Sequence, residues 1–558
     1  MDAINTIIEL SLQMRGPFLG TTLAACLLIV ILYRGYDHRR FYRDLPGPPH
    51  SWLFGHIKVF GQVAALMPPN THPQLFYTEL VRLYDLKEIF YLDLWPIAPG
   101  MVVIIDPKLM DNSSLPKPLP IHPLTALFMK PMFGEGTMAA TNGALWRKMA
   151  TAVSPAFSMS HVLGMTNIMV DECLLFQEKL DELAAGGDIF SMEELVAKPV
   201  YDIVSTATFG EPQHSQTVES QILKDLRDLV NLAQGETDPL IAYNPMVQIP
   251  RRWKRHRIVS RLHSSLRRKV NKCVERIVQE GVVPSRQNPR SIMDLLVREH
   301  AEAVLEEKKR GVYGHSEISN SEEEMLFSNL RTMLLGGHST STNTLCFLFM
   351  LLSKAPDVVK KLHQEHIEQL GTPPQVTLLA NPNMLRKLPY TEAVVKEALR
   401  LYPLGSDLKQ APPGTTVTTH DGRRLPIANG LIVTVSAHTI HYDAHIYPDP
   451  AAFRPERWLD QDKTIPSDYF RVFGGDGRTC PGQNMGMNTL KIVMVMTMSK
   501  YTFQCAELKP NREPMTKHTN FDLVFGDMAF QQLGLDGRPR DGMMMTVTQK
   551  ENGRQRGL

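Results

Sequence analysis

Cysteine is scarce in this sequence. There are six in 558 residues, and no two of them form a C-x-x-C pair. That excludes a disulfide-stapled scaffold and a cysteine-based zinc module. An excess of one charge is missing too: 60 Lys plus Arg stand against 58 Asp plus Glu, for a net charge of +2. The chain as a whole therefore carries no electrostatic footprint for nucleic acid. Beyond residue 50 there is no repeat, low-complexity tract or long linker, and no P-loop or dinucleotide-binding glycine pattern occurs. Hydrophobic residues make up 43% and charged residues 21%, which excludes a disordered chain. Long uncharged apolar runs are absent, with one exception.

That exception is residues 16–33, GPFLGTTLAACLLIVILY, 18 residues without a charge. As a helix the run measures roughly 27 Å at about 1.5 Å per residue, close to the ~30 Å hydrocarbon core of a bilayer. Arg34, Arg39, Arg40 and Arg43 follow it, and the positive-inside bias then puts the rest of the chain in the cytosol. A cleaved signal peptide would have a shorter apolar core ending in small residues, whereas this one ends in ILYRGYDHRR. The expectation is a retained single transmembrane helix, with residues 1–44 as anchor and basic flank. Leu45-Pro46-Gly47-Pro48-Pro49 follows as a stiff, extended hinge, and residues 45–558 form the catalytic part. A sequon at Asn112-Ser113-Ser114 would go unused on the cytosolic side.

Past the hinge the pattern is mostly helical. Short β-rich runs lie at 88–94, 101–105 and 431–435, and Pro96, Pro99 and Gly100 between the first two point to a hairpin. Residues 324–354 contain no proline, and as one helix they would be about 46 Å long, enough to cross the globule. The part 344–352 is apolar nearly all round, which means burial. The expected fold class is mainly α with small β-sheets. Ten Lys or Arg crowd 251–272 beside Trp253, which fits a solvated helix face or a contact with a membrane surface. The polar run 302–324, with Gly311 and Gly314, fits a helix end and an exposed loop.

The stretch richest in chemistry is Phe473-Gly474-Gly475-Asp476-Gly477-Arg478-Thr479-Cys480-Pro481-Gly482. Its glycines let the backbone approach a flat ligand closely, and Arg478 can pair with an acidic group such as a propionate. Cys480 precedes a predicted helix over 483–498, whose N-terminal N–H groups favour a thiolate. A lone cysteine in a glycine-rich turn is more often structural, so context decides its meaning. The stretch resembles the haem-binding loop of the cytochrome P450 family, F-x-x-G-x-R-x-C-x-G. Phe473, Arg478, Cys480 and Gly482 match. Asp476 stands where the family has glycine, and brings a charge to the thiolate side.

Three further segments resemble the family in the order it requires. Glu397-Ala398-Leu399-Arg400 is similar to its E-x-x-R segment, and Pro455-Glu456-Arg457-Trp458 to its P-E-R-F/W segment. Glu and Arg at i and i+3 share a helix face, and the resemblance implies a buried structural lock of Glu397, Arg400 and Arg457. Gly336-Gly337-His338-Ser339-Thr340-Ser341 is similar to A/G-G-x-D/E-T-T/S. Thr340 matches the threonine that manages protons at bound oxygen, while Ser339 replaces the acid. A serine relays a proton but holds no charge, so the route would use water with Ser339, Thr340 and His338; the plainer reading of His338 is a core histidine. Trp146 matches the first residue of W-x-x-x-R, but the arginine position is Ala150, leaving Arg147 or Lys148 to replace it. Lys409 sits where many members place a propionate-binding base.

The resemblance implies the cytochrome P450 fold and a b-type haem (iron protoporphyrin IX) with Cys480 as axial iron ligand. Arg478, Phe473, Gly482, Trp146 and Lys409 would surround the cofactor, and Ser339 and Thr340 would serve catalysis. The expected activity is monooxygenation of a lipophilic small molecule with O₂. Electrons would come from NADPH through cytochrome P450 reductase, with cytochrome b5 as an optional second donor. The expected location is the endoplasmic reticulum membrane with the catalytic domain cytosolic, and the style is that of fungal secondary-metabolite biosynthesis. Met333, Leu334, Gly337 and residues 404–408 would face the substrate. A haem-thiolate isomerase or dehydratase that needs no external electrons is the alternative that Ser339 leaves open.

Overall fold

A capping box starts the central helix, Asn320–Leu352. The Ser319 hydroxyl accepts the Glu322 N–H at 3.4 Å and the Glu322 carboxylate accepts the Ser319 N–H at 3.3 Å, which satisfies two orphan donors of the first turn. With no proline inside, the helix runs 33 residues. Its segment 344–352 is buried throughout, as the apolar run predicts. The computed structural model describes residues 18–111, 115–235, 244–310, 318–405, 407–460, 465–508 and 518–550.

The central helix packs along helix Met192–Phe209, which is itself almost wholly buried. One glycine permits that approach. A Cβ on Gly337 would lie 2.9 Å from a Val204 methyl carbon, whereas a Cβ on Gly336 would meet nothing within 4 Å. Helix Gln483–Met498 and helix Pro389–Leu401 pack against other sides of the same helix.

The sheets are small, and the strands of the first are almost wholly buried. Ile89–Leu92 pairs antiparallel with Met101–Ile104, the expected hairpin, and Ile432–Val435 joins Met101–Ile104 in parallel. Met544–Gln549 lies between Phe190–Ser191 and Tyr501–Cys505. Two hairpins complete the strands among the described residues: Thr416–Thr418 with Arg424–Pro426, and Gln532–Leu533 with Gly537–Arg538. The mainly helical architecture with small sheets matches the expected class.

The basic run lies in helix Pro245–Glu280. It buries Ile258, Leu262, Leu266, Val270, Cys273 and Ile277 as one stripe. Several of its charges form ion pairs with neighbouring elements: Arg261 with Asp225, Arg267 with Glu323, Lys269 and Lys272 with Glu211, Arg276 with Asp294. The paired part, from Arg261 onward, fits a solvated helix face, while Trp253 beside the first basic residues stays exposed.

The expected transmembrane anchor is not supported. No helix among the described residues is long and apolar enough to cross a membrane. The helix Phe18–Arg40 continues past the uncharged run through Arg34, Asp37, Arg39 and Arg40, so charge is built into the element rather than flanking it. Its last turns dock on the globule: Arg39 lies over the Trp95 ring at 5.5 Å, sits 3.6 Å from Asp93 and donates to the Trp52 carbonyl at 2.9 Å. Residues 16 and 17 of the apolar run, the sequon Asn112-Ser113-Ser114, and Gly311 and Gly314 lie outside the described residues.

The contrast between the two central glycines is directly testable. Gly337→Ala should lower the unfolding free energy by about 1–3 kcal/mol, because stiff Val204 cannot yield to the added methyl. Gly336→Ala should cost nothing and gain up to about 1 kcal/mol of helix propensity. Urea unfolding of the two variants checks both, and equal effects would contradict the close-approach argument.

Candidate functional site

The E-x-x-R and P-E-R-W segments meet around one carboxylate. Glu397 and Arg400 lie one turn apart on helix Pro389–Leu401, both with no exposed surface. Glu397 Oε1 accepts from Arg400 Nη2 at 2.8 Å, Arg457 Nε at 3.0 Å and the Arg454 N–H at 3.0 Å. Its Oε2 accepts from Arg400 Nε at 3.0 Å and Trp458 Nε1 at 2.9 Å. Arg400 spends its remaining N–H groups on the carbonyls of His441, Pro450 and Ala452, and Arg457 reaches those of Pro448 and Asp449. A buried ion pair is tolerable only when its hydrogen-bonding capacity is filled in this way.

His441 carries this cluster toward the cysteine loop. Its Nε2 faces the Arg471 N–H at 3.2 Å and its Nδ1 faces the Arg400 carbonyl at 3.0 Å. A backbone N–H can only donate and a carbonyl only accept, so the ring proton sits on Nδ1. Burial, aided by the nearby Arg400 charge, holds this histidine neutral, down to about 3. Arg471 Nη2 then donates to Asp476 Oδ2 at 2.6 Å, and Lys409 Nζ lies 3.4 Å from the same oxygen.

Asp476 stands at φ +55°. That is the left-handed region glycine normally fills, and aspartate is among the few residues that enter it. The sequence departs from the family at this position, yet the turn is kept. The added charge is balanced by Arg471 and Lys409. Lys409 is only 4% exposed, so the base expected beside a propionate is engaged by Asp476.

The loop closes on itself through the Cys480 N–H, which donates to the Phe473 carbonyl at 2.8 Å. The backbone N–H groups of Gly482 and Gln483, at the start of helix Gln483–Met498, turn toward Cys480: that of Gln483 donates to the Cys480 carbonyl at 3.4 Å, and both favour negative charge on the sulfur. Cys480 itself is exposed; desolvation by the surrounding loop pushes its thiol up, and these two N–H groups pull it back down. Arg478 donates to the carbonyls of Met138 and Thr141 and to Asn142 Oδ1 at 2.9–3.1 Å. Its guanidinium lies 4.7 Å over the Trp146 ring, so the structure brings these two predicted residues together. Ala150 joins an apolar cluster with Met138, Met149, Val153 and Met333. Of the two proposed replacements, Lys148 pairs with Glu299 at 2.7 Å and Arg147 is exposed.

No group of three or more His, Cys, Asp or Glu among the described residues could hold a metal ion by itself. A single cysteine backed by two N–H donors suits a metal whose other ligands come with it, as in haem. The glycine at 482, where a Cβ would stand 3.8 Å from Cys480 Sγ and 4.0 Å from Phe157, keeps that approach open. The residues present fit the cofactor.

On the central helix, Thr340 Oγ1 donates to the Gly336 carbonyl at 2.7 Å. Ser339 turns elsewhere: its Oγ donates to Asp536 Oδ2 at 2.9 Å, and Asn343 Nδ2 donates to Asp536 Oδ1 at 2.6 Å. Asp536 lies in the turn of the hairpin Gln532–Leu533/Gly537–Arg538. Burial pushes it up to about 6 against the pull of the Ser339 and Asn343 bonds, and the Glu193 charge adds to the rise. The sequence reading missed Asp536, which belongs to no motif. His338 is a core residue: its ring stands edge-on to Tyr201 at 6.1 Å, and burial with the Arg227 charge takes it down to about 3. Of the expected substrate-facing residues, Gly337 instead abuts Val204 and Leu334 is fully buried in the core. Leu404 offers its carbonyl to the Gly537 N–H, and Leu408 to the His122 N–H.

A family model described as Cytochrome P450 matches residues 45–527 of this chain. Cytochrome P450 monooxygenase acrF of Aspergillus aculeatus is 30% identical over 516 residues, covering 88% of this chain and 100% of that protein. Cytochrome P450 monooxygenase polC of Polytolypa hystricis is 27% identical, covering 95% of each. Among solved structures, the crystal structure of the cytochrome P450DA heme domain aligns with a TM-score of 0.69 at 16% identity, over 90% of this chain and 97% of that chain.

The Asp476 cluster makes a prediction of its own. Asp476→Asn leaves Lys409 and Arg471 buried without their shared counter-charge and should destabilise the fold by about 3–5 kcal/mol. Chemical denaturation of the variant checks this; an unchanged midpoint would mean the three charges are independently solvated.

Proposed function

The chain belongs to the cytochrome P450 family of b-type haem-thiolate enzymes and is an oxygen-incorporating oxidoreductase; on that premise we propose that it hydroxylates or epoxidises a lipophilic small molecule of secondary metabolism, with Cys480 as its axial thiolate. The observation that carries the residue assignment is the loop closed by the Cys480 N–H on the Phe473 carbonyl at 2.8 Å, which sets the cysteine at the start of helix Gln483–Met498. Bound haem supplies the oxygen chemistry, and thiolate ligation favours O–O cleavage.

The chain's own residues do the rest. Gly482 and Gln483 stabilise negative charge on sulfur. Arg478 keeps part of its donor capacity after three bonds to Met138, Thr141 and Asn142, and together with Trp146 it takes the propionate side. Lys409 acts indirectly, by neutralising Asp476. Thr340 holds its hydroxyl at the Gly336 carbonyl, from where it can pass a proton to the reacting side of the helix. Glu397, Arg400 and Arg457 keep the loop's foundation in place and take no part in the chemistry.

Residues 45–558 would form one catalytic domain. Electrons would come from NADPH through a membrane-bound cytochrome P450 reductase, with cytochrome b5 as an optional second donor. The same reading takes the enzyme to the cytosolic face of the endoplasmic reticulum membrane. What supports that location is the exposed apolar group Trp52, Leu53 and Phe54 beside the amino-terminal helix.

Two variants test the assignment. Reduced, CO-treated protein should show the red-shifted Soret band of a thiolate-ligated haem, and Cys480→Ser should abolish it; a folded wild-type protein without that band sinks the reading. Thr340→Ala should keep the band but divert NADPH consumption to peroxide, measured with reconstituted reductase, and an unchanged peroxide yield would refute its proton role. The substrate itself is to be identified by comparing metabolites of strains with and without the enzyme.

A further inference from the structure

The family places an acid directly before its threonine, and this chain has Ser339 there. The structure nevertheless brings a carboxyl group to that position from another part of the chain. Asp536 and Ser339 are joined at 2.9 Å, with Asn343 on the second carboxylate oxygen at 2.6 Å. Ser339 and Asn343 lie one turn apart on the same helix face, so the two bonds hold the carboxyl in one orientation against the helix. We propose that Asp536 takes the place of the missing acid, relaying protons through the Ser339 hydroxyl toward Thr340. The inference rests on the monooxygenase reading above.

Three observations support it beyond the contact itself. First, Asp536, Ser339 and Thr340 each keep some exposed surface although the Asp536 carboxyl is largely enclosed by protein, so water meets the cluster at its edge and can bridge the two hydroxyls. Second, the hairpin is anchored where the site needs it. The Gly537 N–H donates to the Leu404 carbonyl at 2.7 Å, and Gln531 Nε2 to the Pro403 carbonyl at 3.0 Å, which ties the turn to the segment after the E-x-x-R helix. Third, burial and the facing Glu193 push Asp536 up to about 6, so both protonation states are within reach near neutral pH. A proton carrier needs that property. The charged groups around the cluster are Glu193, which bears on Asp536, and Arg538 and Arg227, which bear on Glu193; Arg227 also bears on the neutral His338.

The step moves protons only. A proton on Asp536 Oδ2 passes to Ser339 Oγ as the Ser339 hydroxyl proton leaves for a bridging water beside Thr340. The carboxylate then regains its proton from solvent. No electron moves, and no bond other than O–H forms or breaks. Asp536 acts through Ser339 and is thus a positioning and relay residue rather than one that touches the reacting atoms.

The test uses full-length protein with reconstituted reductase, NADPH and O₂ and no added substrate, and reads peroxide formed per NADPH consumed. Asp536→Asn and Ser339→Ala should each raise that ratio several-fold while retaining the thiolate-haem spectrum. The wild-type ratio should change with a midpoint near pH 6, and the Asp536→Asn ratio should not. Returning the carboxyl to the helix, as Ser339→Asp in the Asp536→Asn background, should bring the ratio back toward wild type; a purely structural role for Asp536 would not be rescued this way. Should Asp536→Asn fail to fold, Ser339→Ala decides, since it removes the link and leaves the carboxyl in place. Infrared difference spectra between wild type and Asp536→Asn give a readout independent of turnover. A protonated carboxyl band that disappears with a midpoint near pH 6 is expected. A wild-type peroxide ratio in both single variants overturns the relay, as does a carboxyl that titrates like an exposed aspartate. A wild-type protein lacking the thiolate-haem spectrum defeats the functional reading instead.

Discussion

Glu397 is a single negative charge with no exposed surface, and the segments that lead to the cysteine loop are arranged to make that tolerable. Five donors from Arg400, Arg457, Arg454 and Trp458 converge on its two oxygens. An isolated buried carboxylate would cost many kilocalories, and only this complete set of partners offsets the desolvation. Each partner fixes a different stretch of chain. Arg400 holds the carbonyls of His441, Pro450 and Ala452, and His441 passes the constraint to Arg471, which clamps Asp476. The cysteine loop is thus positioned through a continuous series of hydrogen bonds that begins at one glutamate some eighty residues earlier in the sequence.

The central helix separates structure from chemistry by face. One face admits helix Met192–Phe209, at a distance only Gly337 permits. Another, through Gly336 and Thr340, keeps a hydroxyl on a carbonyl beside open space. A third, through Ser339 and Asn343, receives the carboxy-terminal hairpin. Adjacent residues on a helix point about 100° apart, so the short Gly-Gly-His-Ser-Thr segment serves packing, core filling and polar chemistry at once. That explains why His338, sandwiched between glycine and serine in the sequence, ends up as an uncharged core residue.

What could be read from the sequence was local. The central helix, the first hairpin, the E-x-x-R pair and the cysteine loop each declare themselves within about thirty residues, through periodicity, turn chemistry or a fixed spacing. What escaped were contacts between distant segments. Asp536 has no neighbours in sequence that mark it, and its partner is 197 residues away. Lys409 resembled a propionate ligand by position, but only the folded loop shows Asp476 engaging its ammonium. The two central glycines look equivalent in sequence and differ entirely in what surrounds them. The amino-terminal run misled for the opposite reason: its apolar composition was read as a separate element, while the helix extends through the arginines and docks Arg39 on Asp93 and Trp95. Composition described the residues well and the boundaries of the element poorly.

The separation between Ser339 and Asp536 also has a consequence in time. During synthesis at about 5–20 residues per second, the helix bearing Ser339 and Thr340 is complete roughly 10–40 s before the carboxyl that joins it leaves the ribosome. Cys480 and its loop emerge in between. A nascent chain therefore possesses the thiol, and every residue of the Glu397 cluster, before it possesses the hairpin. Anything that binds early at Cys480 meets a chain that already holds every residue of the Glu397 cluster but not yet the carboxyl that joins Ser339.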